Sequence, residues 1–147
     1  MSTILELSKV CGVQNTSDAD RQRQIIALLH AGADVNACDK NGVTALHHAV
    51  RFRIPIAVKT LIEHGANVNQ ACKRSGSTPL HRAVISTGAP GTAGKNKEAA
   101  EIIRLLIANG ADPSVTNKSG QKPIDYAKDG AVKSLLKSRK IVDSGTS

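Results

Sequence analysis

Residues 39–71, DKNGVTALHHAVRFRIPIAVKTLIEHGANVNQA, contain two short helix-forming segments between turn signals. The opening DKNG has turn chemistry, because Asp and Asn side chains bond to nearby backbone and Gly tolerates positive φ. A first helix is predicted from Thr44 to Arg51, with its small and apolar residues in one stripe. Pro55 suits the first position of a second helix, and Gly65 suits its end. Neither helix is long enough to be stable alone, so the unit needs packed neighbours.

Two motifs of this unit recur along the chain. The copies of its GVTALHHA motif are GSTPLHRA at 76–83 and, in partial form, GQKPIDYA at 120–127. The copies of its GANVN motif are GADVN at 32–36 and GADPS at 110–114. These motifs resemble ankyrin repeats, whose signature is a 33-residue period with T-P-L-H-x-A. The match covers residues 20–137, and several co-registered motifs make it specific.

The resemblance implies an all-α ankyrin-repeat solenoid, in which helix–turn–helix units joined by short hairpin-like loops stack around one continuous core. We expect a single domain at 1–140 and a flexible tail at 141–147. The expected units are an N-terminal capping unit (1–38), two full repeats (39–72 and 73–116) and a C-terminal capping unit (117–140).

The third unit carries an insertion. Gly42 and Gly65 are 23 positions apart, whereas the equivalent Gly76 and Gly110 are 34 apart, which leaves eleven additional residues. These fall within 86–97, STGAPGTAGKNK, which is rich in turn-forming residues and lacks apolar periodicity. We therefore predict a flexible loop between the two helices of this unit.

Three positions depart from the family pattern. The family ends its first helix with glycine, whereas this chain has Arg53, so the turn before Pro55 is expected to be strained or differently shaped. In the last unit, Lys122 replaces the threonine of the motif and Asp125 replaces its histidine. The two departures in the last unit, Lys122 and Asp125, fit a capping unit.

The chain is basic: its 147 residues include 20 Lys and Arg against 12 Asp and Glu, a formal net charge of +8. The net charge grows from −1 over 1–38 to +4 over 117–147. One interpretation is a solvated cap; the other is a positive surface that steers an acidic partner. Nucleic acid is not favoured, because Phe52 and Tyr126 are too few aromatic residues for a base-stacking platform.

The sequence shows no sign of membrane insertion or secretion. No apolar run approaches the twenty residues of a membrane-spanning helix, and the N-terminus lacks a basic region followed by an apolar one. The three cysteines, Cys11, Cys38 and Cys72, are odd in number and form no CxxC pair, which favours free thiols in a reducing compartment. We expect a cytoplasmic or otherwise intracellular monomer.

Histidine and cysteine side chains suggest metal or catalytic chemistry, but their spacing fits neither. His47 and His81 occupy equivalent repeat positions and form no close-set zinc pattern with Cys38 or Cys72. The resemblance implies that these histidines bond to backbone between adjacent repeats. A nucleophile such as Cys38 or Ser77 would need a base that a third group orients. We predict no catalytic residue, no metal ligand, no cofactor and no enzymatic activity.

By resemblance, the function is protein–protein interaction through a concave surface of hairpin tips and first-helix side chains. The predicted partner-binding residues are Lys40, Asn41, Val43, His48, Arg51 and Phe52 in the second unit, Arg74, Ser75, Ser77, Arg82, Ile85 and Ser86 in the third, and Lys118, Ser119, Gln121 and Tyr126 in the fourth. Phe52, between Arg51 and Arg53, is the first hot-spot candidate, since aromatic and Arg anchors often dominate interfaces. The alternative is that Phe52 merely covers the neighbouring repeat.

Two other functions stay open. The chain could bind an anionic partner, such as nucleic acid or a phosphate-bearing surface, through its basic C-terminal cap, or it could scaffold a larger protein. The residues proposed for the anionic site are Lys118, Lys122, Lys128, Lys133, Lys137, Arg139 and Lys140. The identity of a protein partner cannot be read from the sequence, because the same scaffold serves unrelated partners.

Overall fold

The structure, a computed structural model, describes residues 7, 9–10, 16–86, 96–127, 130 and 132–137. The α-helices named within these ranges are α1 (Asp18–His30), α2 (Ala45–Arg51), α3 (Pro55–Glu63), α4 (Pro79–Ser86) and α5 (Asn96–Ala108). A 3₁₀ helix follows at Pro123–Tyr126, and residues 132–137 are also helical. The described residues contain no β-strand, only an isolated bridge between Cys38 and Thr44. The predicted all-α class is confirmed.

Some sequence predictions fall outside the described residues. Of the inserted loop at 86–97, the structure describes the two ends, where α4 ends at Ser86 and α5 begins at Asn96. The tail at 141–147 lies outside the description altogether. The flexibility of both segments and the domain limits therefore stay predictions.

The helices form two layers. Helices α1, α3 and α5 pack in succession as the outer layer, and α2, α4 and the 3₁₀ helix pack in succession as the inner layer. In each full repeat the inner helix also packs on the outer helix that follows it, α2 on α3 and α4 on α5. The repeats therefore stack side by side, as the resemblance implies.

One continuous apolar core lies between the layers. Its largest fully buried apolar side chains are Leu7, Ile25, Leu46, Leu61, Leu80, Ile102, Ile103 and Leu106. Fully burying one such side chain stabilises the fold by about 1.5–3 kcal/mol relative to leaving it exposed. Leu7 near one end and Leu136 near the other extend this core into the terminal units.

A threonine and a histidine cap each inner α-helix. The His47 backbone nitrogen donates to Thr44 Oγ1 at 3.4 Å, and the Thr44 backbone nitrogen donates to His47 Nδ1 at 3.1 Å. Thr78 and His81 make the same two bonds at 3.4 and 3.2 Å. Because Nδ1 accepts a backbone N–H, each imidazole is neutral with its proton on Nε2.

The two equivalent histidines differ in their contact with the next repeat. His81 Nε2 donates to the Gln121 backbone oxygen at 2.9 Å, which confirms the predicted bond between repeats. His47 Nε2 is buried without a partner of hydrogen-bonding geometry in the part of the chain that the structure describes. The backbone carbonyls of Ser77, in the next repeat, and of Gln70 nevertheless lie near enough to raise the His47 pKa, so the predicted bond between repeats is not excluded for His47 and stays a prediction there.

The last unit keeps one half of this cap. Lys122 has no side-chain acceptor, but its backbone nitrogen donates to Asp125 Oδ2 at 2.8 Å, so the carboxylate replaces the imidazole. Without the threonine half, the segment forms a four-residue 3₁₀ helix in place of the seven- and eight-residue helices of the full repeats.

Asparagine side chains join successive repeats on the side of the loops. Asn36 Nδ2 donates to the Gly65 backbone oxygen at 3.0 Å, and its Oδ1 accepts from the Asn67 backbone nitrogen at 2.6 Å. Asn69 makes the equivalent pair of bonds to the third unit at 3.1 and 2.8 Å. At the equivalent position in that unit, Ser114 bonds locally to Asp112 instead. Its shorter side chain makes no such bridge among the described residues.

Arg53 adopts a left-handed backbone conformation with φ of 57°, so of the two predicted outcomes, a strained or a differently shaped turn, the structure has the strained one. It is the only non-glycine residue with positive φ among those described. Its backbone nitrogen donates to the Val50 oxygen at 3.1 Å and ends α2 just before Pro55 begins α3. The turn is therefore a left-handed helix end with the wrong residue type for low strain.

Glycine at position 53 should relieve this strain. We expect Arg53→Gly to stabilise the fold by about 1 kcal/mol relative to Arg53→Ala, because both remove the side chain but only glycine adopts this φ without penalty. Urea unfolding followed by circular dichroism measures both. Equal stabilities of the two variants would show that position 53 stores no strain.

The described residues contain no helix long and apolar enough to span a membrane. Cys38 is exposed and Cys72 is buried, and both are free thiols.

Candidate functional site

Three hairpin-like loops carry most of the predicted tip residues. In each loop a glycine N–H donates to the backbone oxygen of the first loop residue, Asp39, Cys72 or Asn117, at 2.9 Å. The middle loop has one extra residue, since Gly65 and Gly76 are eleven positions apart where the equivalent glycines of the other loops are ten apart. The glycine spacing in the sequence reveals this second insertion, which was not among the predictions.

The first residue of each outer loop holds that loop in shape. Asp39 Oδ1 accepts from the backbone nitrogens of Asn41 and Val43 at 2.8 and 3.1 Å. Burial raises the pKa of Asp39, but these N–H groups outweigh it and hold the pKa below its ordinary value. Asn117 Oδ1 makes the equivalent pair of bonds at 2.9 and 3.1 Å. These hydrogen bonds fix the backbone conformation of the two outer loops.

In the middle loop the Cys72 thiol occupies this position. Burial raises its pKa, but hydrogen bonds from the Ser75 side chain and backbone, the Ser77 backbone and the Arg82 guanidinium outweigh it and lower the pKa to about 7. The Cys72 Sγ lies 3.0 Å from Ser75 Oγ and 3.9 Å from an Arg82 nitrogen. Because Cys72 is only 2% exposed, we assign it to positioning the loop and Arg82.

Successive loops are also bonded to each other. The Lys73 backbone nitrogen donates to the Asn41 oxygen at 2.7 Å, and the Lys118 backbone nitrogen donates to the Ser75 oxygen at 2.9 Å. The three tips therefore form one continuous row along the inner layer.

A hollow of about 400 Å³ lies between this row and the inner helices. The described residues that line it are Arg51, Ser75, Ser77, Arg82, Ile85, Asn117, Ser119 and Tyr126. The set includes seven of the predicted partner-binding residues, drawn from three successive units. Asn117 was not among the predictions, because its role depends on the fold of the last loop.

Tyr126 forms a fixed side of this hollow. Its hydroxyl donates to Gln121 Oε1 at 2.5 Å and accepts from Asn117 Nδ2 at 2.9 Å. Its ring packs edge-on against His81, with 6.3 Å between the ring centroids. Ile85, which is 45% exposed, adds an apolar side chain without a cover among the described residues. The hollow thus combines apolar surface with two arginines and several hydroxyl groups.

Phe52 lies elsewhere. It is 39% exposed and lines a second hollow, of about 690 Å³, at the turn between α2 and α3. Its ring stacks on His48, with 6.4 Å between the centroids, and the Arg51 guanidinium lies 5.9 Å from the ring centroid. Arg51 lines both hollows, so Phe52 lies next to the concave hollow without being part of it.

The remaining predicted residues divide by exposure. The exposed loop-tip residues are Lys40, Asn41, Arg74 and Lys118, and the half-buried residues are Val43, His48 and Gln121. Ser77 is only 6% exposed, so it forms the floor of the hollow and not a projecting contact. The Ser86 side chain lies outside the described residues.

The basic residues proposed for an anionic site are only partly described. Lys118, Lys122, Lys133 and Lys137 are exposed, whereas Lys128, Arg139 and Lys140 lie outside the described residues. None of these four lysines lines the 400 Å³ or the 690 Å³ hollow. The C-terminal site therefore stays a prediction.

Comparison with known proteins agrees with the repeat architecture. A family model for "Ankyrin repeats (3 copies)" matches residues 17–117. The chain is 33% identical over 119 residues to the mouse B-cell lymphoma 3 protein homolog, and this match covers 80% of the chain and 24% of the homolog. The chain is also 36% identical over 103 residues to human BCL-6 corepressor-like protein 1, and this match covers 70% of the chain and 5% of that protein.

A solved structure is similar as well. The crystal structure of the ankyrin repeat domain of Bcl-3, titled a unique member of the IkappaB protein family, superimposes with a TM-score of 0.68 at 32% identity. The match covers 82% of this chain and 48% of that chain.

The chain therefore corresponds to a part of these relatives, about a quarter or less of the length of the two curated ones. Ankyrin-repeat proteins are generally non-enzymatic modules of protein–protein interaction. The repeated motifs, the two-layer stack, the family match and the Bcl-3 likeness lead to the same conclusion: the chain belongs to the ankyrin repeat family.

Proposed function

We propose that this chain binds a partner protein through the concave surface formed by its loop tips and inner helices. The observation that carries the proposal is the 400 Å³ hollow, around which three successive units bring seven of the residues predicted from the sequence. Such a surface exists only when the repeats are stacked, so binding depends on the fold as a whole.

The surface is prepared for binding before a partner arrives. Its loops are held by Asp39 and Asn117, and its Tyr126 side chain is held by two hydrogen bonds. Groups that are already ordered lose little conformational entropy on binding, which leaves more of the contact energy as affinity. A rigid surface of this kind suits recognition of a defined protein segment.

Ile85 and Tyr126 are the expected anchors, since exposed apolar and aromatic side chains at the centre of an interface carry most of its energy. We expect Ile85→Ala combined with Tyr126→Ala to weaken binding to a partner recovered from the native cell by about 2 kcal/mol or more, roughly thirtyfold. Phe52→Ala is a third variant, because Phe52 adjoins the hollow through Arg51.

A photo-crosslinking amino acid at position 85 identifies the partner, and the same amino acid at Arg104, exposed on the outer helix α5 and outside both hollows, is the matched control. Crosslinks at position 85 and not at position 104 are expected. A partner that crosslinks only at position 104, and whose affinity survives the Ile85 and Tyr126 changes, would disprove binding through the concave surface.

A further inference from the structure

We infer that the concave hollow takes a peptide segment in which acidic residues adjoin an aliphatic or aromatic one. The carboxylates would lie against Arg51 and Arg82, and the apolar side chain would lie on Ile85 and the Tyr126 ring. This inference rests on the proposed function and names the chemistry of the partner.

The first observation is how charge is divided between the two layers. The outer helices α1, α3 and α5 carry five basic and five acidic residues, a net charge of zero. The loops and inner helices at 39–51, 72–86 and 117–126 carry seven basic and two acidic residues, a net charge of +5. The basic residues of this inner surface are Lys40, Arg51, Lys73, Arg74, Arg82, Lys118 and Lys122. The excess charge of the described repeats therefore lies on the concave side.

The two acidic residues of the inner surface do little to offset this charge. Asp39 Oδ1 accepts two backbone N–H groups of its own loop, and Asp125 Oδ2 accepts the Lys122 N–H. Neither lines the hollow, and none of the described residues that do is acidic. A positive surface of this kind raises the rate of encounter with acidic partners and disfavours basic ones.

The second observation is that both arginines are held in place. The Arg51 guanidinium lies over the Phe52 ring, and Arg82 contacts Cys72 Sγ. A guanidinium presents paired donors that match a carboxylate, and a pre-positioned one loses less side-chain freedom on binding. The two arginines supply specificity for carboxylates that scattered lysines would not.

The third observation separates a peptide from a nucleic acid. The Tyr126 ring already packs edge-on against His81, and its hydroxyl is fully engaged. Stacking on successive bases requires several open aromatic faces, whereas the exposed apolar side chain here is Ile85. An aliphatic neighbour to the arginines favours a protein segment.

The test selects ligands from a random displayed peptide library on the folded chain. Enriched peptides are expected to contain Asp or Glu next to Leu, Ile or an aromatic residue. Their affinity, measured by fluorescence anisotropy at physiological salt, should fall at least thirtyfold for Arg51→Glu with Arg82→Glu. Arg51→Glu alone, at an exposed position, should cost about tenfold, and it keeps the test valid if the half-buried Arg82 does not tolerate reversal.

The matched control is Lys97→Glu with Arg104→Glu. Both residues are exposed on the outer helix α5 and line neither hollow, and the pair changes the net charge by the same amount. Affinity should change by less than about twofold, because the charges lie outside the hollow. An equal loss in both double variants would reduce the effect to net charge and overturn the inference.

Other outcomes separate this inference from the proposed function. Enriched peptides without acidic residues that still depend on Ile85 and Tyr126 would overturn the acidic chemistry and leave the concave interface standing. Peptides insensitive to both sets of changes, or no enriched peptide at all, would contradict both. A single-stranded DNA probe that binds more tightly than the peptides, and loses affinity with Arg51 and Arg82, would assign the hollow to nucleic acid.

Discussion

Alanine at Gly76 is expected to destabilise the protein by about 3 kcal/mol, whereas alanine at Gly120 costs about 1 kcal/mol. The two glycines occupy equivalent loop positions and have nearly the same φ, 70° and 75°. A Cβ at Gly76 would lie 3.0 Å from the Lys118 backbone nitrogen and 3.1 Å from its Cγ, while one at Gly120 meets none of the described atoms within 4 Å. Both substitutions strain a left-handed backbone, but only alanine at Gly76 pushes the neighbouring loop away.

The pair measures the contact between two stacked loops. A methyl group at Gly76 opposes the hydrogen bond from the Lys118 backbone nitrogen to the Ser75 oxygen, 2.9 Å in the native structure. Urea unfolding of both variants, with m-values checked for two-state behaviour, gives the difference. Gly42→Ala is an internal repeat of the test, since its Cβ would meet the Lys73 nitrogen at the same 3.0 Å. Equal losses at Gly76 and Gly120 would show that loop contact adds nothing to backbone strain.

The fold was predictable because each unit repeats the same local signals. Turn glycines, the Thr-x-x-His cap and Pro55 all act within a few residues, and a recurring pattern indicates stacking without knowledge of distant contacts. Arg53 occupies a position where the family pattern has glycine, which left a strained or a differently shaped turn as the two expectations, and the positive φ of Arg53 fits the strained turn.

The bonds between repeats were less predictable, because they depend on small displacements. Thr44-x-x-His47 and Thr78-x-x-His81 read alike, yet among the described residues His81 Nε2 bonds to a backbone oxygen of the next repeat with full hydrogen-bonding geometry and His47 Nε2 does not. Arg21 is another example: it belongs to a polar segment of the N-terminal unit, but it is only 5% exposed and donates to the Val10 oxygen at 2.6 Å. A long side chain such as that of Arg21 can reach a neighbouring segment, and the distance between the two segments cannot be derived from the sequence.

The sequence predicted seven of the residues that line the 400 Å³ hollow, but it did not predict the shape of that hollow. Residues of the concave surface follow from their place in the repeat, and seven of them line the hollow. Phe52 lies instead at the end of α2 and lines the second hollow, whose other walls come from residues distant in sequence, such as Asp18 and Glu101. Likewise, the balance of charge on the outer helices becomes visible only once the layers are assigned.

Acidification from pH 7 to pH 4 is expected to remove about 3 kcal/mol of stability through His47. Burial, followed by the positive charge of Arg82, lowers the pKa of His47 from 6.5 to about 4. The carbonyls of Ser77 and Gln70 oppose this shift but do not reverse it. Between these two pKa values the unfolded chain binds a proton that the folded chain does not, so stability is complete above about pH 6.5 and falls as the pH drops towards 4. Burial also lowers the pKa of His48, which adds an effect of the same sign.

The physical cause is the cap itself. Protonation of His47 Nδ1 would remove the acceptor of the Thr44 backbone N–H and place a charge at a side chain that is 0% exposed. His47→Gln lacks the titration, so we expect it to lose about 1–2 kcal/mol at pH 7, to equal the wild type between about pH 5 and pH 6, and to be about 1–2 kcal/mol more stable than the wild type at pH 4. His30→Gln, at an exposed position, is the matched control for the same substitution. Urea unfolding at pH 4, 5, 6 and 7 measures the free energy of unfolding of each variant. A difference between His47→Gln and the wild type that stays constant with pH would show that His47 titrates alike in the folded and unfolded chains.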